Sequence, residues 1–215
     1  MENNIKRACN QQQIQLRKNE ICQVVDKMLD NMDYQDITMK TISEKISIAR
    51  SSLYCYYLSK EEIVLDVLKK YYVSLFNGLS ICLNKKYKNR EELASNLTDE
   101  YFNHLKLLKL SSMYLTDIEI HCSLESVIEF KKIFIKLIPE LKQSIKNQFD
   151  VDDNNVNYIY NFLLMILHSF YPLAFPNSNQ IKAMEFNKLD IVNNQKEWLY
   201  NQILFIIKKI WITKN

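Results

Sequence analysis

The sequence predicts an all-α protein in two parts: an N-terminal three-helix module containing a helix-turn-helix, then a larger helical domain. Three observations predict it. The 215 residues hold one glycine, Gly78, and three prolines, Pro139, Pro172 and Pro176, so the residues that build tight hairpins and sharp strand-to-helix elbows are nearly missing. Apolar residues recur at three- and four-residue steps along most of the chain, which is the helical period. No strand-like alternation runs longer than a few residues. The glycine count also excludes a Walker A loop, a GxGxxG dinucleotide turn and a GxSxG nucleophile elbow.

Each element follows from its residues. Residues 1–12, polar and Gln/Asn-rich with Lys6 and Arg7, read as a flexible arm. Ile14, Ile21, Val24, Val25, Met28 and Leu29 mark one helical face ending near Asp33-Tyr34. Three short apolar-periodic pieces follow between Ile37 and Tyr57. Ser59-Lys60-Glu61-Glu62 has the form of a capping box, opening a long helix through Ile63, Val67, Leu68, Tyr71, Leu75 and Leu79. Leu93, Leu97, Tyr101, Leu105 and Leu108 make one later stripe; Val127, Phe130, Phe134, Leu137, Leu141 and Ile145 make another. Asp152-Asp153-Asn154-Asn155 starts an apolar helix from Val156 to Ala174. Residues 176–195 read as a loop with a short helix, and Gln195 to Ile212 as the last helix.

Composition bounds the function. Apolar residues are 47% and charged ones 25%, ordinary for a soluble globular protein. The 28 basic and 25 acidic residues leave +3, too mild to announce a nucleic-acid partner, so any such case rests on local placement. The five cysteines, Cys9, Cys22, Cys55, Cys82 and Cys122, are odd in number and lack a CxxC, which fits free thiols in a reducing compartment. The N-terminus shows no signal-peptide core, and the most apolar window, Phe162 to Phe175, falls short of the ~20 residues of a membrane span. A cytoplasmic protein with no membrane partner is expected.

The segment with functional character runs from Thr38 to Tyr57. Thr38 can cap a helix that buries Ile42 and Ile46, and a second short helix from about Ala49 carries Leu53 and Tyr57 four apart. Two short helices joined by three or four residues over one small core make a helix-turn-helix. The other face of the second helix presents Arg50, Ser51, Ser52, Tyr54, Cys55 and Tyr56, with no acidic residue to be repelled by a nucleic-acid groove.

Ile21 to Ile63 resembles the N-terminal module of the tetracycline-repressor (TetR) family of bacterial transcriptional regulators, most diagnostically in Leu53-Tyr54-Cys55-Tyr56-Tyr57-Leu58-Ser59-Lys60-Glu61. Asp33 and Ser47 stand where the family usually has turn glycines, and Ala49 where a capping Ser is common. The resemblance implies a DNA-binding domain over residues 1–60 and an effector-binding and dimerisation domain over residues 61–215. It implies that Lys60, Tyr54 and Tyr56 hold phosphates, that Thr38 meets the backbone, and that Lys40, Arg50, Ser51 and Ser52 approach base edges of a palindromic operator in double-stranded DNA. It further implies a small-molecule effector and a homodimer made by the last two long helices. Residues 156–174 and 195–212 are apolar beyond one core-facing stripe, which suits that interface.

Pocket candidates for a lipophilic or aromatic effector are Tyr101, Phe102, Met113, Tyr114, Asp117, His121, Phe134, Met165, His168 and Tyr171, the same residue types that also fill ordinary cores. No metal site, cofactor motif or nucleophile–base–orienter set is evident, so an enzyme is not expected. Two other readings stay open. Cys55 and Cys122 allow a thiol-based redox-responsive regulator, and the helices alone allow a protein-interaction module without DNA binding.

Overall fold

The structure, a computed structural model, describes residues 2–212, with side chains from Gln11 to Ile210. Its regular elements are α1 (Glu2–Asn31), a 3-10 turn (Tyr34–Asp36), α2 (Met39–Ile46), α3 (Arg50–Leu53), α4 (Lys60–Leu83), α5 (Arg90–Phe102) and α6 (Leu105–Met113). A π turn (Tyr114–Ile118) and a 3-10 turn (Glu119–His121) lead to α7 (Leu124–Lys131), α8 (Phe134–Phe149), α9 (Asp153–Ala174), α10 (Ser178–Phe186) and α11 (Gln195–Ile212). The all-α class is as the sequence predicts. The expected arm is helical from Glu2; the side chains of Lys6, Arg7 and Cys9 lie outside the described ones.

The chain divides into two compact units. One contains the chain through Lys70 together with Leu115–Lys132; the other contains Tyr71–Tyr114 and the chain from Ile133 onward. Helix α4 passes from the first to the second without a break. The stripe from Val127 to Ile145, which looks continuous in sequence, is therefore split between α7 and α8, and the two helices belong to different units.

In the first unit, α1 packs on α2 and α2 on α3 around fully buried Ile21, Val25, Ile37, Ile42 and Leu53. In the second, α9 packs against α6 and α8, and α11 against α5. Its core includes Tyr72, Phe76, Leu97, Leu163, Phe170 and Ile203. At Gly78 the carboxylate end of the flexible Glu100 side chain lies where a Cβ would stand. Helix α9 buries Val156, Ile159, Leu163, Ile166, Leu167 and Phe170, yet leaves Tyr158 (73% exposed), Met165 (65%) and Leu173 in solvent. Phe205 on α11 is likewise exposed. Among the described residues no single helix is long and apolar enough to cross a membrane.

The turns settle the two glycine substitutions differently. Asp33 has φ −69° and ψ 144°, extended backbone open to any residue, so it needs no left-handed tolerance. Ser47 sits at φ 60° and ψ 45°, where a Cβ is strained. Its N–H bonds back to Glu44 and Ser43, which holds it there. Ser47→Gly is expected to stabilise the protein by about 1 kcal/mol, read as a raised denaturation midpoint at unchanged slope. A lowered midpoint would contradict the strain.

Candidate nucleic-acid interface

Helix α2 starts at a reciprocal cap. The Thr38 hydroxyl accepts the Thr41 N–H at 3.1 Å, and the Thr41 hydroxyl oxygen accepts the Thr38 N–H at 2.9 Å. Three residues past the end of α2, Ala49 precedes α3 with no side-chain cap, as its sequence predicts, and the helix lasts only from Arg50 to Leu53. It is shorter than the sequence periodicity suggests. Tyr57 is reached instead through successive turns, with the Tyr56 and Tyr57 N–H groups both donating to the Leu53 carbonyl.

A single turn of helix is not stable by itself, so its position comes from burial. Leu53 is fully buried and Tyr57 nearly so. The Tyr57 hydroxyl donates to Asp66 Oδ2 at 2.8 Å and lies 3.2 Å from Cys22 Sγ. Burial, with Cys22 and Asp66 beside it, raises the pKa of this hydroxyl far above the ordinary phenol value, so it stays a protonated donor. Lys18 Nζ stands 4.5 Å from the centre of the Tyr57 ring.

With Leu53 and Tyr57 turned inward, the opposite face is free. Lys40, Arg50, Ser51, Ser52 and Tyr54 are exposed and Tyr56 is half-buried. Arg50 folds along its own helix, donating from Nη2 to the Tyr54 hydroxyl at 3.0 Å. An open groove of 470 Å³ brings Thr38, Lys40, Arg50, Tyr54, Ser59 and Lys60 together, with Leu58 and Glu61 on its wall. Lys60 is not extended toward solvent. Its ammonium donates to the Tyr34 carbonyl at 3.0 Å and sits 4.2 Å from the Tyr34 ring centre, partners that the sequence reading did not identify.

The expected effector residues are distributed over both compact units. Asp117 and His121 lie in the first unit, where His121 Nδ1 is 2.7 Å from the Asp117 carbonyl. In the second unit, Tyr101 is fully buried and donates to the Leu163 carbonyl at 2.8 Å, as a core residue does. Phe102 packs on Phe170 and Tyr171 on Phe175, Met113 is half-buried, and Met165 points to solvent. Tyr114, Phe134 and His168 share one cluster through Tyr72: His168 stacks on Tyr114 at 6.2 Å, and Tyr72 meets both Tyr114 and Phe134 edge-on. Phe102 and Tyr171 belong to another, linked through Phe170 and Phe175. Helical spacing of aromatics cannot separate a pocket wall from a core. Among the described residues no three His, Cys, Asp or Glu side chains are grouped to hold a metal.

Two further groups bear on the alternatives. Burial, and then Glu62, Glu61, Glu119 and Asp66, push the Cys122 thiol up to about 12, which leaves almost no reactive thiolate at neutral pH. That argues against Cys122 as a redox sensor. Glu62, read from the sequence as part of a cap, accepts the Leu58 N–H at 2.9 Å through Oε2. Its Oε1 accepts the Ser123 hydroxyl at 2.5 Å, the Ser126 hydroxyl at 2.9 Å and the Ser123 N–H at 3.2 Å. Burial opposes ionisation of this carboxyl, but the bonds from Ser123, Leu58 and Ser126 outweigh it and hold the pKa below the usual value. The signal for this second role, two serines 61 and 64 residues away, was invisible before folding.

Because the folded pKa of Glu62 is lowered, its ionised bonds contribute stability fully above the unfolded value of ~4.3 and lose it as pH falls through the folded one. The denaturation midpoint of Glu62→Gln should therefore lie below that of the unaltered protein at pH 7, with the gap closing in acid. A gap that persists unchanged into strong acid would contradict this. Thiol labelling at pH 8, mapped by mass spectrometry, should modify exposed Cys55 well before Cys122. The reverse order would reopen the redox reading.

Comparison with known proteins gives a family. The profile of the tetracyclin repressor-like C-terminal domain matches residues 69–195, more than half of the chain. No curated protein sequence matches. Among solved structures, the fatty acid degradation regulator FadR from Bacillus halodurans is similar at TM-score 0.47 and 16% identity, over 87% of this chain and 94% of that one. A putative transcriptional regulator from Streptomyces coelicolor A3(2) is similar at TM-score 0.48 and 12% identity, over 91% and 97%. On the profile match, the chain belongs to the tetracycline-repressor-like family of transcriptional regulators.

Proposed function

We propose that this regulator binds double-stranded DNA sequence-specifically as a homodimer and acts as a repressor released by a small lipophilic or aromatic effector. The observation that carries the DNA reading is the outward face of the α2–α3 module. Lys40, Arg50, Ser51, Ser52 and Tyr54 are all exposed on a probe whose inner face is anchored by Leu53 and Tyr57. α3 carries no carboxylate, and its small serines let its backbone approach a groove floor closely. Arg50 reaches guanine O6 and N7 on leaving the Tyr54 hydroxyl, while the Tyr54 and Tyr56 hydroxyls and Lys60 face phosphates. Lys60 contributes this way only by exchanging the Tyr34 carbonyl for a phosphate oxygen.

Self-association is supported by α9 and α11. Tyr158, Met165 and Leu173 on α9 and Phe205 on α11 are large apolar groups in solvent on two helices that each already bury another face. Two such helices from each of two copies make a four-helix bundle, and a two-fold pair reads a palindromic operator with half-sites about one helical turn or more apart. The effector reading rests on the family; the packed Tyr72–Tyr114–Phe134–His168 cluster has the ring types that stack on a planar or apolar guest.

A labelled fragment of the protein's own promoter should be retarded by the unaltered protein at low salt. Arg50→Ala should lower discrimination for that fragment over random DNA by about 5- to 150-fold, the equivalent of ~1–3 kcal/mol. No retardation by the unaltered protein would overturn the DNA reading. Replacing Met165 and Leu173 together with Glu should halve the mass seen by sedimentation and abolish the specific complex; an unchanged mass would remove these helices from the interface.

A further inference from the structure

The first unit is not made from the N-terminal chain alone. The chain leaves it at Lys70, returns at Leu115 and leaves again after Lys132. The returning segment opens with a π turn, Tyr114–Ile118, a distortion that often marks a functional element. It then docks on the start of α4. The dock is polar and buried. Glu62 is only 6% exposed, and one of its oxygens accepts three donors from the N-terminus of α7 while the other accepts the Leu58 N–H at the mouth of α4. A second tie runs beside it, from the Ser59 hydroxyl to the His121 carbonyl at 3.4 Å. A third joins Lys69 to Glu129 at 3.8 Å.

Leu58, Ser59, Lys60 and Glu61 are also groove residues. The same four-residue stretch therefore forms one wall of the reading face and is held from behind by the returning segment. The groove's opposite wall, Thr38, Lys40, Arg50 and Tyr54, is fixed by its own cap and by Leu53.

We propose that Glu62 is a positioning residue for DNA recognition: clamped by Ser123 and Ser126, it lets the segment Leu115–Lys132 set the distance between the Ser59–Lys60 wall and the Arg50–Tyr54 wall of the groove. This rests on the DNA-binding reading and adds a residue-level control to it. Neither serine touches DNA in this account, so their effect on recognition passes wholly through Glu62. An ionised carboxylate is the suited group, because a buried anion at a helix N-terminus that has lost its donors must move or find water. The wall it supports moves with it.

The test compares the unaltered protein with Ser123→Ala/Ser126→Ala and with Ser123→Thr/Ser126→Thr, which keeps both hydroxyls. Two readouts are taken. One is the ratio of affinities for the promoter fragment and for random DNA of equal length at one salt concentration. The other is amide hydrogen exchange over residues 38–62 without DNA. The alanine pair should lose about tenfold in that ratio while keeping its random-DNA affinity, and should exchange faster at residues 57–62. The threonine pair should restore both. A merely destabilised protein would lose promoter and random binding alike, which counts against the proposal, as does an unchanged ratio. Failure of the unaltered protein to prefer its promoter would instead remove the DNA-binding reading. Exchange that is unchanged in the alanine pair would overturn the clamp even if the DNA reading stands.

Discussion

The structure depends first on the inward anchoring of a helix too short to stand alone. α3 has one turn, an alanine where a capping side chain would serve, and a left-handed serine two residues before that alanine. None of its local features favours it. What holds it is the burial of Leu53 and Tyr57 together with the Tyr57 hydroxyl bonded to Asp66 and facing Cys22. Each residue turned outward owes its exposure to these two turned inward. A polar, hydroxyl-rich face can be presented because the hydrophobic price is met on the other side.

The second constraint is where buried charge is allowed. Lys60 and Glu62, two residues apart at the start of α4, meet opposite fates. Lys60 remains half-buried over the Tyr34 ring, with a carbonyl that can be exchanged for another acceptor. Glu62 is enclosed and takes four hydrogen bonds, so it is fixed. In the proposed account one residue of the pair changes partners and the other keeps them. That division fits a site where one side meets a ligand and the other transmits position.

The parts of the fold read correctly from sequence are those decided within one or two turns. Thr38 and Asp152 cap as their neighbours demand, Ser47 carries the positive φ that its place in a glycine turn implies, and α11 runs from Gln195 to Ile212 as its stripe predicts. What escaped was decided by chain return. Nothing near Val127 says that its helix joins the first unit while Phe134, seven residues on, joins the second. Tyr101 and Met165 were both plausible pocket residues, yet one fills the core and the other faces water. Aromatic and sulfur side chains at helical spacing satisfy either role equally, and only the packing of distant helices chooses. The residues proposed to face DNA were easier to place at the surface, because their requirement is simple: hydrogen-bonding side chains on a face free of carboxylates.

The central claim is that the face bearing Lys40, Arg50, Ser51, Ser52 and Tyr54 enters the major groove. Promoter DNA with 5-bromouracil in place of thymine carries its photoreactive atom in that groove, and irradiation followed by peptide mapping locates the protein beside it. The account predicts crosslinks within residues 38–60, concentrated on the peptide containing Arg50 to Tyr54. Crosslinks confined to residues 71–114 or beyond residue 133 would contradict it.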